Sequence, residues 1–237
     1  MRLTLSPYIK VFKPPCVHRR MQLIKRLWSI LRTPTAFFKT VAHEPVSASI
    51  KLFLIVLVIA TIIGLPASYI ATQFELDMTV GEWLPQGLLM GLLGLVQGIV
   101  GYAISIGIVH IFVRLFHGKG LIRQTAKTFL YPTAAVQALL IPFTVLYQIV
   151  LFFLLPGFTM QQGLGGMVVV GLLYGLIALA LGIMAFVSTV QGIKLFHSFT
   201  TGKAVAVILL PVLIFAVLAV IGMLIIAMTF GPTFGLA

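Results

Sequence analysis

Acidic side chains are almost missing from this sequence. Glu44, Glu75, Asp77 and Glu82 are all it has in 237 residues, against 16 Lys and Arg, for a net charge of +12. None of the four falls in a long apolar run, and that excludes several chemistries at once. An HExxH zinc site, an aspartyl dyad or a paired-glutamate hydrolase needs intramembrane carboxylates that this chain does not have. The Gly-x-Ser-x-Gly nucleophile elbow is missing too. Gly118-Lys119-Gly120 lacks the spaced glycines and Lys-Ser/Thr pair of a phosphate loop. Cys16 is the single cysteine, which rules out an intrachain disulfide. The chain reads as non-enzymatic, with no cofactor and no metal site expected.

Charge of either sign is scarce. Only 8% of the residues are charged and 60% are hydrophobic, with a mean hydropathy of +1.17. A soluble domain carries roughly 25% charged residues, because its surface faces water. Part of this chain's solvent must be lipid. Five apolar runs, near residues 50–72, 87–113, 132–155, 165–192 and 204–230, are each long enough to cross a hydrocarbon core, which takes roughly 20 helical residues. Pro66, Pro142 and Pro211 lie inside them, as kinks that membrane helices tolerate.

The few charges are placed with a bias. Ten of the 16 Lys and Arg stand at or before Lys51, four lie between Arg114 and Lys127, and Lys194 and Lys203 complete the set. Glu75, Asp77 and Glu82 occupy the first outer loop, while the second, around Gly157–Leu164, is uncharged. Every basic residue therefore falls on one side of a five-span threading. The positive-inside rule then puts the N-terminus in the cytoplasm and the C-terminus outside. Basic residues at the ends of apolar runs point to anionic lipid headgroups rather than nucleic acid.

Ahead of the spans, residues 1–20 read as a flexible basic extension broken by Pro7, Pro14 and Pro15. His18-Arg19-Arg20 is followed by no apolar core with a small-residue cleavage site, so it is not read as a secretion signal. Residues 21–45 carry two short helices. In the first, Met21, Leu23, Ile24, Leu27, Trp28, Ile30 and Leu31 share one half of the helical wheel, opposite Gln22, Lys25, Arg26, Ser29 and Arg32. Such a helix either lies in the membrane interface or docks on the protein's own loops. Thr33-Pro34 predicts the start of the second, with Thr33 as the cap and Phe37, Phe38 and Val41 as its apolar face.

Two patterns suggest how the spans associate. Gly87, Gly91, Gly94, Gly98, Gly101 and Ser105 form a small-residue stripe on the second span, and Gly171, Gly175, Ala178 and Gly182 form one on the fourth. Small residues let helix backbones approach closely in lipid, so the two spans are expected to pack through these faces, within one chain or between two. The ends of the same spans also match. Arg114-Leu115-Phe116-His117 parallels Lys194-Leu195-Phe196-His197, which suggests a repeat of two helical hairpins.

The basic candidates for lipid or partner contact are Arg114, His117, Lys119, Arg123, Lys127, Lys194, His197 and Lys203. At helical spacing His110, Arg114 and His117 share a face. Without a carboxylate or thiol beside them they make a poor metal set and a better headgroup-facing cluster. Gln97, Gln137 and Gln148 lie within spans. They would hydrogen-bond between helices or, in the alternative reading as a small transporter or channel subunit, line a water path.

Two stretches resemble the Yip domain family of small polytopic membrane proteins. One runs from Arg32-Thr33-Pro34-Thr35-Ala36-Phe37-Phe38-Lys39 through Val41 to Glu44-Pro45. The other is Phe116-His117-Gly118-Lys119-Gly120 with Gln124-Thr125 and Tyr131. The resemblance covers roughly residues 25–230. It implies a non-enzymatic protein of the membrane. Eukaryotic members associate with small GTPases in vesicle traffic, often as oligomers. This chain lacks the long acidic and aromatic arm suited to GTPase binding, so that activity is not carried over. Its short basic N-terminus suits a prokaryotic cytoplasmic membrane. The expectation is an all-α membrane protein of five transmembrane helices, within residues 46–237, preceded by one or two amphipathic interfacial helices. It would organise or scaffold through anionic lipids, an unknown membrane or cytoplasmic protein partner, or a second copy of itself.

Overall fold

The computed structural model describes residues 19–76, 79–154 and 160–230. Cys16 and most of the basic extension, Asp77, residues 155–159 of the second outer loop and the C-terminal tail lie outside the described residues. Those described form seven helices and no strand: α1 (Arg19–Arg32), α2 (Pro34–Thr40), α3 (Val46–Leu76), α4 (Val80–Leu115), α5 (Ile122–Leu154), α6 (Met160–His197) and α7 (Thr201–Phe230). The last five are long and apolar enough to cross a membrane.

Each long helix overruns its apolar run. Hydropathy marks where lipid ends, whereas the helix ends only where its backbone bonds find other partners. α5 begins ten residues before Pro132 and carries Arg123 and Lys127 on its first turns. α4 starts at Val80, where the Glu82 carboxylate accepts from the Thr79 backbone N–H at 2.9 Å and from its hydroxyl at 2.8 Å. Pro66 cannot donate to the carbonyl one turn back in α3. Close by, Gln148 Nε2 of α5 donates to the Ile63 carbonyl at 2.7 Å.

α5 is the central helix. It packs on α3, α4 and α6 and is also covered by α1; α7 closes the bundle against α4 and α6. α4 lies against α3, α5 and α7, and α6 is not among its main packing partners. Nearly all of the burial lies at one end, where α3, α5 and α7 begin and α4 and α6 finish. The largest cluster there joins Leu27, Ile30 and Leu31 of α1 with Phe37 and Phe38 of α2, Tyr131 and Ala135 of α5, and Leu181 of α6. The apolar face of α1 is thus docked on the protein itself, and Trp28 beside it stays 45% exposed.

The glycine stripes do not join α4 to α6 within the chain. A methyl at Gly94, Gly101, Gly171, Gly175 or Gly182 would meet nothing within 4 Å. Gly91 and Gly98 face Leu65 and Leu57 of α3, and Gly87 is covered by Trp83 of its own helix. The glycines that admit close neighbours are others: a methyl on Gly118 would strike Val113 and Phe199, and one on Gly192 would strike Thr128 and Phe38.

Candidate functional site

The two stretches that resemble the Yip family fold onto one another at the buried end. Pro34 occupies the first turn of α2, where a missing N–H costs nothing. The hydroxyl of Thr33 does not cap that helix as expected. It donates back to the Ser29 carbonyl of α1 at 3.3 Å, so Thr33 ties the two helices at their junction. α2 then presents Phe37 edge-on to Tyr131 of α5, with ring centroids 5.1 Å apart, and Phe38 edge-on to Phe196 of α6 at 5.7 Å.

Polar groups complete the joint. Tyr131 is fully buried, and its hydroxyl donates to Glu44 Oε2 at 2.7 Å. Arg26 of α1 donates through Nη2 to both oxygens of the same carboxylate, at 2.7 and 2.5 Å. Its guanidinium carbon lies 5.9 Å from the Phe37 ring centre and 5.7 Å from that of Tyr131, within range of a cation–π attraction. One of the chain's four acids therefore ties α1, the α2–α3 link and α5 together.

Lys127 makes a second tie. It is 3% exposed, and its ammonium donates to the carbonyls of Val41 and Ala42, both at 3.0 Å. These carbonyls close the C-terminal end of α2, where the helix dipole favours a cation; that of Val41 also accepts from the Glu44 N–H at 3.1 Å. On the other side, Ser188 of α6 donates to the Ile30 carbonyl at 2.9 Å, near the end of α1.

A third node sits deeper in the same end. Thr125 Oγ1 lies 3.0 Å from His110 Nδ1 and 3.0 Å from His197 Nε2. A hydroxyl has one proton, so it donates to one histidine and accepts from the other. His197 is 1% exposed and its Nδ1 has no partner. A proton on that nitrogen would be a buried, unpaired donor, costing roughly 1–3 kcal/mol. The favoured arrangement has His197 Nε2–H donating to Thr125, and Thr125 donating to His110 Nδ1. Gly120 presses on the His197 ring and leaves no room for a side chain. Among the described residues no three His, Cys, Asp or Glu side chains converge as a metal set would.

Of the eight basic candidates, six are exposed: Arg114, His117, Lys119, Arg123, Lys194 and Lys203. Lys127 and His197 point inward and are occupied as described. His117 does not continue the face of His110 and Arg114, because α4 stops at Leu115. The chain turns left-handed at His117, with φ 61°. Gly118 N–H donates to the Val113 carbonyl at 2.8 Å and His117 N–H to that of Arg114 at 3.0 Å, closing the helix end. α6 ends the same way at Ser198, φ 57°, with Phe199 N–H donating to the Lys194 carbonyl at 3.1 Å. The two ends are alike in geometry but one residue out of register with the sequence match. His197 corresponds to Phe116, not to His117. Phe199 packs on Gly118, so the two basic hinges touch.

The in-span glutamines are dispersed. Gln97 is exposed in a groove of about 550 Å³ on α4. Gln137 borders a separate cavity of about 240 Å³ between α3, α5 and α6, and Gln148 is bonded to α3.

Five apolar helices in a bundle, with two short helices and most of the partnered polar groups gathered at one end, define a polytopic helical membrane protein. The family follows from comparison. The Yip1 domain model matches residues 28–224, and the chain belongs to the Yip1 domain family. No curated protein and no solved structure matches it.

Proposed function

We infer that this Yip1-family protein is a non-enzymatic organiser of the membrane, acting through the exposed basic residues of its two hinges. Arg114, His117, Lys119 and Arg123 flank one hinge; Lys194 and Lys203 flank the other. Phe199 against Gly118 holds the hinges side by side. That juxtaposition of basic hinges is the observation that carries the reading, because it offers one cationic surface to anionic headgroups and to a protein partner. The positive-inside rule assigns this surface to the cytoplasmic side, with the C-terminus outside. The alternative, a transporter or channel subunit, draws little support from the glutamines, which line different spaces.

The test is lipid enrichment around the reconstituted protein. In nanodiscs of mixed phosphatidylglycerol and phosphatidylcholine, the wild-type chain should concentrate the anionic lipid. Lys119→Gln, Arg123→Gln and Lys203→Gln together should abolish the effect, since each charge contributes about 1 kcal/mol of headgroup attraction. Undiminished enrichment in the triple variant would defeat the proposal. Thiol labelling of Lys119→Cys and Thr79→Cys, each in a Cys16→Ser background, reads the orientation: the two must react from opposite sides.

A further inference from the structure

Between α1 and α2 runs an open groove of about 510 Å³, apart from the hinge residues. Its volume is in the range of small-ligand sites. Three hydroxyls line it, and all three have already given their protons to helix carbonyls. Ser29 donates to Arg26 at 2.7 Å, Thr33 to Ser29 at 3.3 Å and Thr40 to Phe37 at 2.7 Å. What they offer the groove is lone pairs, which call for a ligand with O–H or N–H donors.

The charged groups call for an anion. Lys25, Arg26 and Glu44 line the same groove; two cations against one carboxylate leave one net positive charge. All of Arg26's hydrogen bonds are made through Nη2, so its Nε and Nη1 donors remain for a phosphate. Glu44 and the rings of Phe37 and Tyr131 fix the guanidinium before any ligand arrives, which lowers the cost of binding.

The depth is that of headgroups. Glu44 stands two residues before the start of α3 and is bonded to Tyr131, the last residue before the 132–155 apolar run. Trp28, adjacent on α1, is exposed, as aromatic residues at a membrane–water boundary commonly are. We propose that this groove binds the headgroup of an anionic glycerophospholipid carrying hydroxyls, its phosphodiester on Lys25 and Arg26 and its polyol donating to Ser29, Thr33 and Thr40. The proposal rests on the reading of the protein as a lipid-contacting organiser, but assigns a single defined site to residues outside the hinges.

Native mass spectrometry of the full chain in detergent tests it. Phosphatidylglycerol should give one retained adduct, whereas phosphatidylcholine, neutral and without donors, should give none. Lys25→Gln should weaken that adduct about tenfold, as losing one charge-assisted hydrogen bond does. Thr40→Val should weaken it less. Neither residue takes part in the Glu44 tie, so both variants should fold. The hinge variant Lys119→Gln/Arg123→Gln should keep the adduct. Full retention in Lys25→Gln, or loss in the hinge variant alone, overturns the groove while leaving the hinge reading standing. No preference for phosphatidylglycerol in the wild type overturns the groove whatever the hinges do in nanodiscs. Glycerol 1-phosphate displacing the lipid at equal concentration would make the ligand a soluble phosphate and overturn the lipid assignment.

Discussion

Glycine serves opposite purposes in different parts of this bundle. At the basic end a methyl on Gly118, Gly120 or Gly192 would run into a neighbouring side chain or ring, so each marks a place where two elements touch. Farther along the spans Gly94, Gly101, Gly171, Gly175 and Gly182 face open space, as Gly107 and Gly202 do nearer the basic end, while Gly87 and Gly91 lie against Trp83 and Leu65. The apolar residues divide the same way. Val109, Val113, Val190, Ile193, Ala204 and Val207 are buried together. Beyond Pro211, α7 has exposed side chains from Val212 to Ile221. Lipid solvates leucine as well as another helix does, so apolar surface alone does not close a bundle in a membrane. What distinguishes the closed end is its partnered polar groups.

The largest effect expected from breaking that end is at Lys127. Lys127→Met keeps the apolar stem but strands the Ala42 carbonyl and leaves that of Val41 with the Glu44 N–H alone, and should cost about 3 kcal/mol for one unmet acceptor and one lost charge-assisted bond. Thermal unfolding in detergent reads it; a loss under about 1 kcal/mol would mean that water satisfies α2 and that the tie is dispensable. Gly192→Ala comes next, at about 2 kcal/mol, because Phe38 and Thr128 must move to admit the methyl. Tyr131→Phe should cost about 1 kcal/mol, discounted from the usual value for a charged acceptor because Glu44 is one-third exposed. Its sharper readout is hydrogen exchange: α1 and α2 amides should exchange faster while the middle of α5 does not change.

Much of this architecture is legible in the sequence, because it rests on signals that run along the chain. Apolar runs and the Lys/Arg bias mark five spans, and Thr33-Pro34 marks the start of α2. The inward turn of Lys127 is not legible. It follows Arg123 by four residues on the same basic helix start, and only the carbonyls of α2, 86 residues away in sequence, draw it in. Identity pairs His197 with His117, but a left-handed residue at Ser198 rather than at His197 sets the register. The glycine stripes mislead for a different reason. Their period is the same whether a neighbour is present or not: Gly192, which does admit one, stands three heptads beyond Gly171 on the same four-three spacing.

The smallest expected effect concerns that stripe and decides what the far end is for. Gly175→Ala adds a methyl that meets nothing within 4 Å, on a helix already formed in the bilayer. It should leave monomer stability unchanged, or raise it by no more than about 1 kcal/mol through better helix propensity. The same should hold for Gly94→Ala, so the contrast with Gly192→Ala separates contact glycines from open ones at equal chemistry. The informative readout is chemical cross-linking in vesicles at rising protein-to-lipid ratio. If either far-end variant lowers dimer yield while its melting temperature is unchanged, the open stripe is a contact surface between copies, as the sequence pattern allowed. If yield and melting temperature are both unchanged, lipid alone covers that face, and association of copies, where it occurs, must use the basic end.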